Sequence, residues 1–103
     1  MALDFHLATN KKAPMGYVGS FKENIHQTIF DFLPQGRFNH FRKLEDYYSD
    51  AKYSKSEIGS LIQDIDSIAM HFTDQEVTNQ LNEIKQICIE AMEKGMELYV
   101  YCD

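Results

Sequence analysis

Two long apolar stripes of helical period occupy the second half of the chain. In the first, apolar residues recur at Ile58, Leu61, Ile62, Ile65, Ile68, Ala69 and Phe72. The second follows the same spacing at Val77, Leu81, Ile84, Ile87, Cys88, Ala91 and Met92. Since steps of three and four place residues on one face of a helix, the sequence predicts helices over about 55–72 and 74–94.

Helix-start signatures of the form Ser/Thr-x-x-Glu occur three times, at 20–23, 54–57 and 73–76. In such a capping box the hydroxyl accepts the N–H three residues on, and the Glu accepts the N–H of the cap residue. The first signature predicts a further helix over about 21–33, ended by Pro34 and Gly36. A fourth helix over about 38–48 is predicted from apolar spacing alone, because no capping signature precedes it.

The two ends of the chain alternate apolar and polar residues with a period of two, which is typical of half-buried strands. Leu3, Phe5 and Leu7 share one face at the N-terminal end, and Leu98, Val100 and Cys102 do so at the C-terminal end. The Pro- and Gly-containing stretch 9–19 is predicted to be a loop. We therefore expect a single domain over 1–103 of the α+β class, mostly α. About four helices would accompany a small antiparallel sheet formed by the N- and C-terminal segments.

Composition and charge narrow the class of partner. The chain has 103 residues, 44% hydrophobic and 25% charged, as in ordinary globular domains. It shows neither a signal-peptide pattern nor a long apolar span, so we expect a cytoplasmic protein that uses no membrane. The net charge is −6: residues 1–43 carry +3 and residues 44–103 carry −9. Such an acidic half repels nucleic acid and attracts basic partners. The alternative is a solvated acidic face that only keeps the protein in solution.

No arrangement of residues indicates catalysis. The four histidines and two cysteines lack metal-ligand spacing, and no phosphate-binding glycine loop is present. We therefore expect no enzyme activity, no metal and no cofactor. The competing interpretation is a small metal-dependent hydrolase built on acids such as Asp64, Glu83 and Asp103. An acidic ridge on the last predicted helix, formed by Glu76, Glu83 and Glu90, is typical of a solvated helix face.

The segment 45–53 is the strongest candidate for a binding surface, because it places three tyrosines among three acids. Tyrosine is enriched at binding hot spots, and carboxylates pair with basic partners. The expected partner-binding residues are Glu45, Asp46, Tyr47, Tyr48, Asp50, Tyr53, Glu57 and Asp64. In this interpretation Tyr47→Ala weakens a complex but leaves folding nearly intact. The alternative to a binding role is that Tyr48 and Tyr53 simply cover the hydrophobic core.

Three segments resemble the immunity proteins of bacterial contact-dependent growth inhibition and polymorphic toxin systems. They are the Met-Ala-Leu-Asp-Phe opening, the Leu-Glu-Asp-Tyr-Tyr-Ser-Asp run at 44–50, and the helix end at 90–95 that leads into Leu-Tyr-Val-Tyr-Cys-Asp at 98–103. The resemblance implies a partner that is a cognate toxin domain, expected to be a basic nuclease whose active site the protein occludes. The alternative is a regulatory or scaffold interaction module without a toxin. The oligomeric state stays open.

Overall fold

A computed structural model describes residues 2–9 and 16–102. Along the chain the elements are β1 (Ala2–Ala8), β2 (Gly16–Lys22), α1 (Glu23–Phe32), a 3-10 turn (Phe41–Leu44), β3 (Ala51–Tyr53), α2 (Lys55–Ala69), α3 (Gln75–Lys94) and β4 (Glu97–Cys102). This is an α+β fold with three α-helices and a four-stranded antiparallel sheet in the described residues.

The predicted pairing of the two chain ends is confirmed. Strands β1 and β4 run antiparallel in the centre of the sheet, with Phe5 opposite Val100. The strand order is β2-β1-β4-β3, so β2 and β3 form the two edges. Alternate residues of the central strands, among them Leu3, Phe5 and Leu98, are fully buried. They face the three helices, which lie on one side of the sheet and complete the core.

The predicted helix over 38–48 is wrong. Only Phe41–Leu44 is helical there, as a 3-10 turn. Phe38 has φ 58°, a left-handed conformation that a right-handed helix cannot contain. The turn is held by a tertiary contact instead: the Asp64 carboxylate on α2 accepts the backbone N–H groups of His40 and Phe41 at 3.1 and 3.0 Å.

The predicted loop over 9–19 is wrong for residues 16–19, which belong to β2, while residues 10–15 lie outside the described part of the chain. The predicted helix start at Ser20 is also wrong. Ser20 is a strand residue whose hydroxyl donates to the Asp4 carboxylate at 2.8 Å, and α1 begins after Lys22 without a side-chain cap. Pairing with β1 therefore overrode a local helix signature.

The two later helix starts are confirmed in position, but only one forms the predicted box. The Glu57 carboxylate accepts the Ser54 backbone N–H at 2.9 Å, which completes the box at the start of α2. At α3 the cap is Asp74 rather than Thr73, and its carboxylate accepts the N–H of Glu76 at 2.8 Å. The left-handed Gly95, with φ 63°, ends α3 as predicted. In the described residues no helix combines the length and apolar character needed to cross a membrane.

Candidate protein-binding surface

A groove of about 360 Å³ lies between α1 and residues 45–48, which follow the 3-10 turn. We call it the α1 groove. It is lined by Glu23, His26, Gln27, Phe30, Asp31, Glu45, Asp46, Tyr47 and Tyr48. Four of these, Glu45 to Tyr48, belong to the segment predicted from sequence to bind a partner. The structure therefore brings half of the predicted residues into one concave surface.

Helix α1 supplies one wall because of its spacing. Its buried face carries Ile25 and Ile29. Glu23, Gln27 and Asp31 follow one another at intervals of four, and Phe30 lies three residues after Gln27. Since residues three and four apart are neighbours on a helix surface, all four lie on one side of α1. Burial of the isoleucines against the core consequently turns two carboxylates and an aromatic ring toward the groove.

The other wall is a tight turn organised by Asp46. One carboxylate oxygen of Asp46 accepts the Tyr48 backbone N–H at 2.9 Å, and the other accepts the Ser49 hydroxyl at 2.8 Å. These two hydrogen bonds favour the charged form and lower the pKa of Asp46, so the carboxylate is ionised at neutral pH. The turn leaves Tyr48 projecting into solvent, with 62% of its surface exposed.

The floor of the groove is aromatic and uncharged. The His26 ring lies 4.6 Å from the rings of both Phe30 and Tyr47, centroid to centroid. Its Nε2 donates to the Leu44 carbonyl oxygen at 2.6 Å, which fixes the ring. Because burial disfavours the imidazolium, the pKa of His26 is lowered and the ring is neutral at pH 7.

The rim carries four carboxylates, those of Glu23, Asp31, Glu45 and Asp46, and no lysine or arginine lines the groove in the described part of the chain. Arg42, which is not a lining residue, pairs with one of these carboxylates: its Nη1 lies 3.1 Å from Glu45 Oε2. Carboxylates above an aromatic floor suit a guanidinium or ammonium group, through ion pairing and the electron-rich ring face. No group of three or more His, Cys, Asp and Glu among residues 2–9 and 16–102 is arranged to hold a metal ion.

Tyr47 lies at the back of the groove and only 6% of its surface is exposed. Its hydroxyl donates to the Phe21 carbonyl oxygen at 2.7 Å, at the end of β2. This corrects the expectation that Tyr47→Ala leaves folding nearly intact, because the ring is part of the core. Of the groove's two tyrosines, Tyr48 is the one that offers a partner substantial area.

The other four predicted residues have internal roles. Tyr53 is fully buried, and its hydroxyl donates to the His40 carbonyl oxygen. Glu57 completes the α2 cap and pairs with Lys43 at 3.0 Å. Asp50, the residue before β3, accepts the Cys102 N–H at 2.9 Å and so extends the hydrogen bonding along β4. Asp64 holds the 3-10 turn, as described above.

Sequence reasoning missed the α1 side of the groove, in particular Glu23, His26, Phe30 and Asp31. A signal was present, because these residues recur at helical spacing beside the apolar stripe of the first predicted helix. The sequence does not show that these residues lie close to Asp46, because this proximity depends on the path of the chain after the turn at Gly36.

Comparisons of the chain with protein-family models, with curated proteins and with solved structures found no match.

Proposed function

We propose that this protein is a non-enzymatic immunity protein that binds a cognate toxin domain, a basic nuclease, and occludes its active site. The observation that supports the proposal is the α1 groove, in which four carboxylates surround a neutral aromatic floor. An arginine or lysine side chain of the toxin would enter the groove, with its cation against the rim and its aliphatic stem against the rings.

Charge supports the choice of a nuclease. Nucleases bind the phosphate backbone through lysine and arginine. The net charge of −9 in residues 44–103 presents these cations with an alternative anionic surface. Complementary charge speeds encounter and excludes neutral or acidic competitors. Bound over the active site, the protein would keep nucleic acid away from the toxin and would not itself bind nucleic acid.

The first experiment expresses proteins encoded beside this chain in bacteria, alone and together with it. We expect one neighbour to arrest growth alone and growth to recover when this protein is present. The proposal fails if no neighbour is toxic, or if a toxic neighbour is not rescued.

The second experiment measures affinity by calorimetry between that toxin domain and groove variants. Tyr48→Ala is expected to weaken the complex by about 2 kcal/mol, the size of a hot spot, with little effect on folding because the ring is exposed. Asp31→Lys should chiefly slow association, and the effect should shrink at high salt. Glu93→Lys is the matched control, because it makes the same charge change at an exposed α3 position outside the groove.

Equal binding by Tyr48→Ala, Asp31→Lys and Glu93→Lys would show that the toxin docks elsewhere. A non-toxic protein that binds the groove with the expected variant pattern would replace the immunity role by the alternative, a regulatory or scaffold module.

A further inference from the structure

Strand β2 is an edge strand whose outer side is only partly closed. At its C-terminal end, Gln80 of α3 acts as a substitute for a neighbouring strand. The Gln80 carboxamide oxygen accepts the Lys22 N–H at 3.0 Å, and its NH₂ donates to the Ser20 carbonyl oxygen at 3.1 Å. Gln80 is 4% exposed, so a buried side chain closes this end of the edge to another strand.

The N-terminal half of the same edge has no such seal. Between Gly16 and Gly19, no strand or side chain in the described part of the chain satisfies the outward backbone groups of β2. Unpaired N–H and C=O groups on an edge strand are a template for another strand. The register with β1 shifts between Gly19 and Tyr17, which makes Val18 a bulge. An added strand would thus pair with a short, bulged stretch of about four residues before it reached Gln80.

The open edge lies beside a groove formed with α3. Two adjoining depressions of about 310 and 380 Å³ flank β2 and share Glu83 as a lining residue. Together we call them the β2-edge groove. Its floor near the open end is apolar, formed by Val18 and Ile87. Gly19 permits this close packing, since an added Cβ would lie 3.1 Å from Ile87 Cδ1.

The charged side chains that line the β2-edge groove are mostly acidic. Glu76, Glu83 and Glu90, which lie seven residues apart on α3, all line it. Lys22 is the cation in its lining, at the end that Gln80 seals. Glu83 and Glu90 lie roughly 10 Å apart along the helix. Two basic side chains that are two residues apart on an extended strand, about 7 Å, lie within reach of both carboxylates.

We propose that β2 binds an extended basic segment of a partner protein as a fifth strand. The backbone of this segment would pair with residues 16–19, and its alternate Lys or Arg side chains would meet Glu83 and Glu90. In strand addition the main chain supplies affinity and the alternate side chains supply specificity. The site is separate from the α1 groove, so the proposal does not depend on the proposed function.

The test uses a fluorescent eight-residue peptide of alternating Lys and Val, titrated by anisotropy against the full chain. A second peptide has the same sequence but carries N-methyl groups on alternate backbone nitrogens, which keeps every charge and blocks pairing on one edge. A third carries the N-methyl groups on the other set of nitrogens. We expect the parent and one methylated peptide to bind, and the other methylated peptide to lose at least about tenfold in affinity.

Two charge-reversal variants of the protein test the role of the carboxylates in the same titration. Glu83→Lys should weaken binding of the parent peptide at least about tenfold, while Glu93→Lys, on the outer part of the same helix, should change it less than about twofold. Hydrogen exchange of residues 16–19 should slow when the peptide binds. The proposal is overturned if the parent peptide does not bind, if all three peptides bind equally, or if both charge reversals weaken binding equally.

Discussion

The burial of Tyr47 makes a specific prediction about stability. Its side chain is 6% exposed, lies in the hydrophobic core cluster and packs against the His26 ring. Its hydroxyl donates to the Phe21 carbonyl oxygen at 2.7 Å. Its hydroxyl also shares a hydrogen bond with the backbone of Leu3. Two substitutions separate these contributions: Tyr47→Phe removes only the hydrogen bonds of the hydroxyl, and Tyr47→Ala also removes the ring.

The expected magnitudes differ. Loss of the buried hydrogen bonds of the hydroxyl in Tyr47→Phe should lower the free energy of unfolding by about 1–3 kcal/mol. Deletion of the ring adds the lost burial of a large aromatic side chain and the cavity that remains, so Tyr47→Ala should cost about 3–5 kcal/mol in total. Because small domains are stable by only about 5–15 kcal/mol, Tyr47→Ala should leave the protein close to unfolding at physiological temperature.

Urea unfolding followed by circular dichroism measures both values, with Tyr48→Ala as the matched control on the neighbouring residue. Since Tyr48 is 62% exposed, its replacement should change the free energy of unfolding by less than about 0.5 kcal/mol. If Tyr47→Ala is as stable as Tyr48→Ala, the assignment of Tyr47 to the core is refuted. A loss of partner binding in Tyr47→Ala, by contrast, would report damaged folding and not a lost contact.

Three further predictions concern the helices. Asp74→Ala should lower the free energy of unfolding by about 1 kcal/mol in urea titrations, whereas Thr73→Ala should leave it nearly unchanged, because Asp74 caps α3. Hydrogen bonds from Ser54 and from Lys43 lower the pKa of Glu57 from 4.5 to about 2. A depressed carboxylate pKa stabilises the fold above the unfolded value, so the stability advantage of wild type over Glu57→Gln should shrink as the pH falls from about 4.5 to about 2. Ile65→Asp places an unpaired charge at a position that is 1% exposed and should abolish the cooperative thermal transition; a wild-type melting curve would contradict the core assignment.

Local sequence was a sufficient guide where a segment repeats one period for long enough. Helices α2 and α3 and the terminal strands were predictable because their apolar positions define one buried face over many residues. Between residues 9 and 53 the local signals were short and in conflict. There Ser20 carries a helix-cap signature inside a strand, and 38–48 has helical spacing around a left-handed Phe38.

The candidate site shows the same division. The acidic tyrosine segment was visible in the sequence, but the sequence did not distinguish its exposed residues from its buried residues. Tyr47 and Tyr48 are adjacent residues of the same type, and only packing against His26 and Phe21 makes one of them core and the other surface. Likewise, Asp46 and Asp64 are both acids, and the contact of Asp64 with the 3-10 turn appears only after α2 packs beside it.

The sequence by itself thus determined the acidic charge, the two long helices and the two terminal strands, because composition and long periodic stripes depend on neighbours along the chain. Tertiary structure decided the two edge strands, the α1 groove and the β2-edge groove. These depend on hydrogen bonds and packing between residues far apart in sequence, such as the bonds from Gln80 to Ser20 and Lys22. A strand edge or a groove is a relation between elements, so no single segment encodes it.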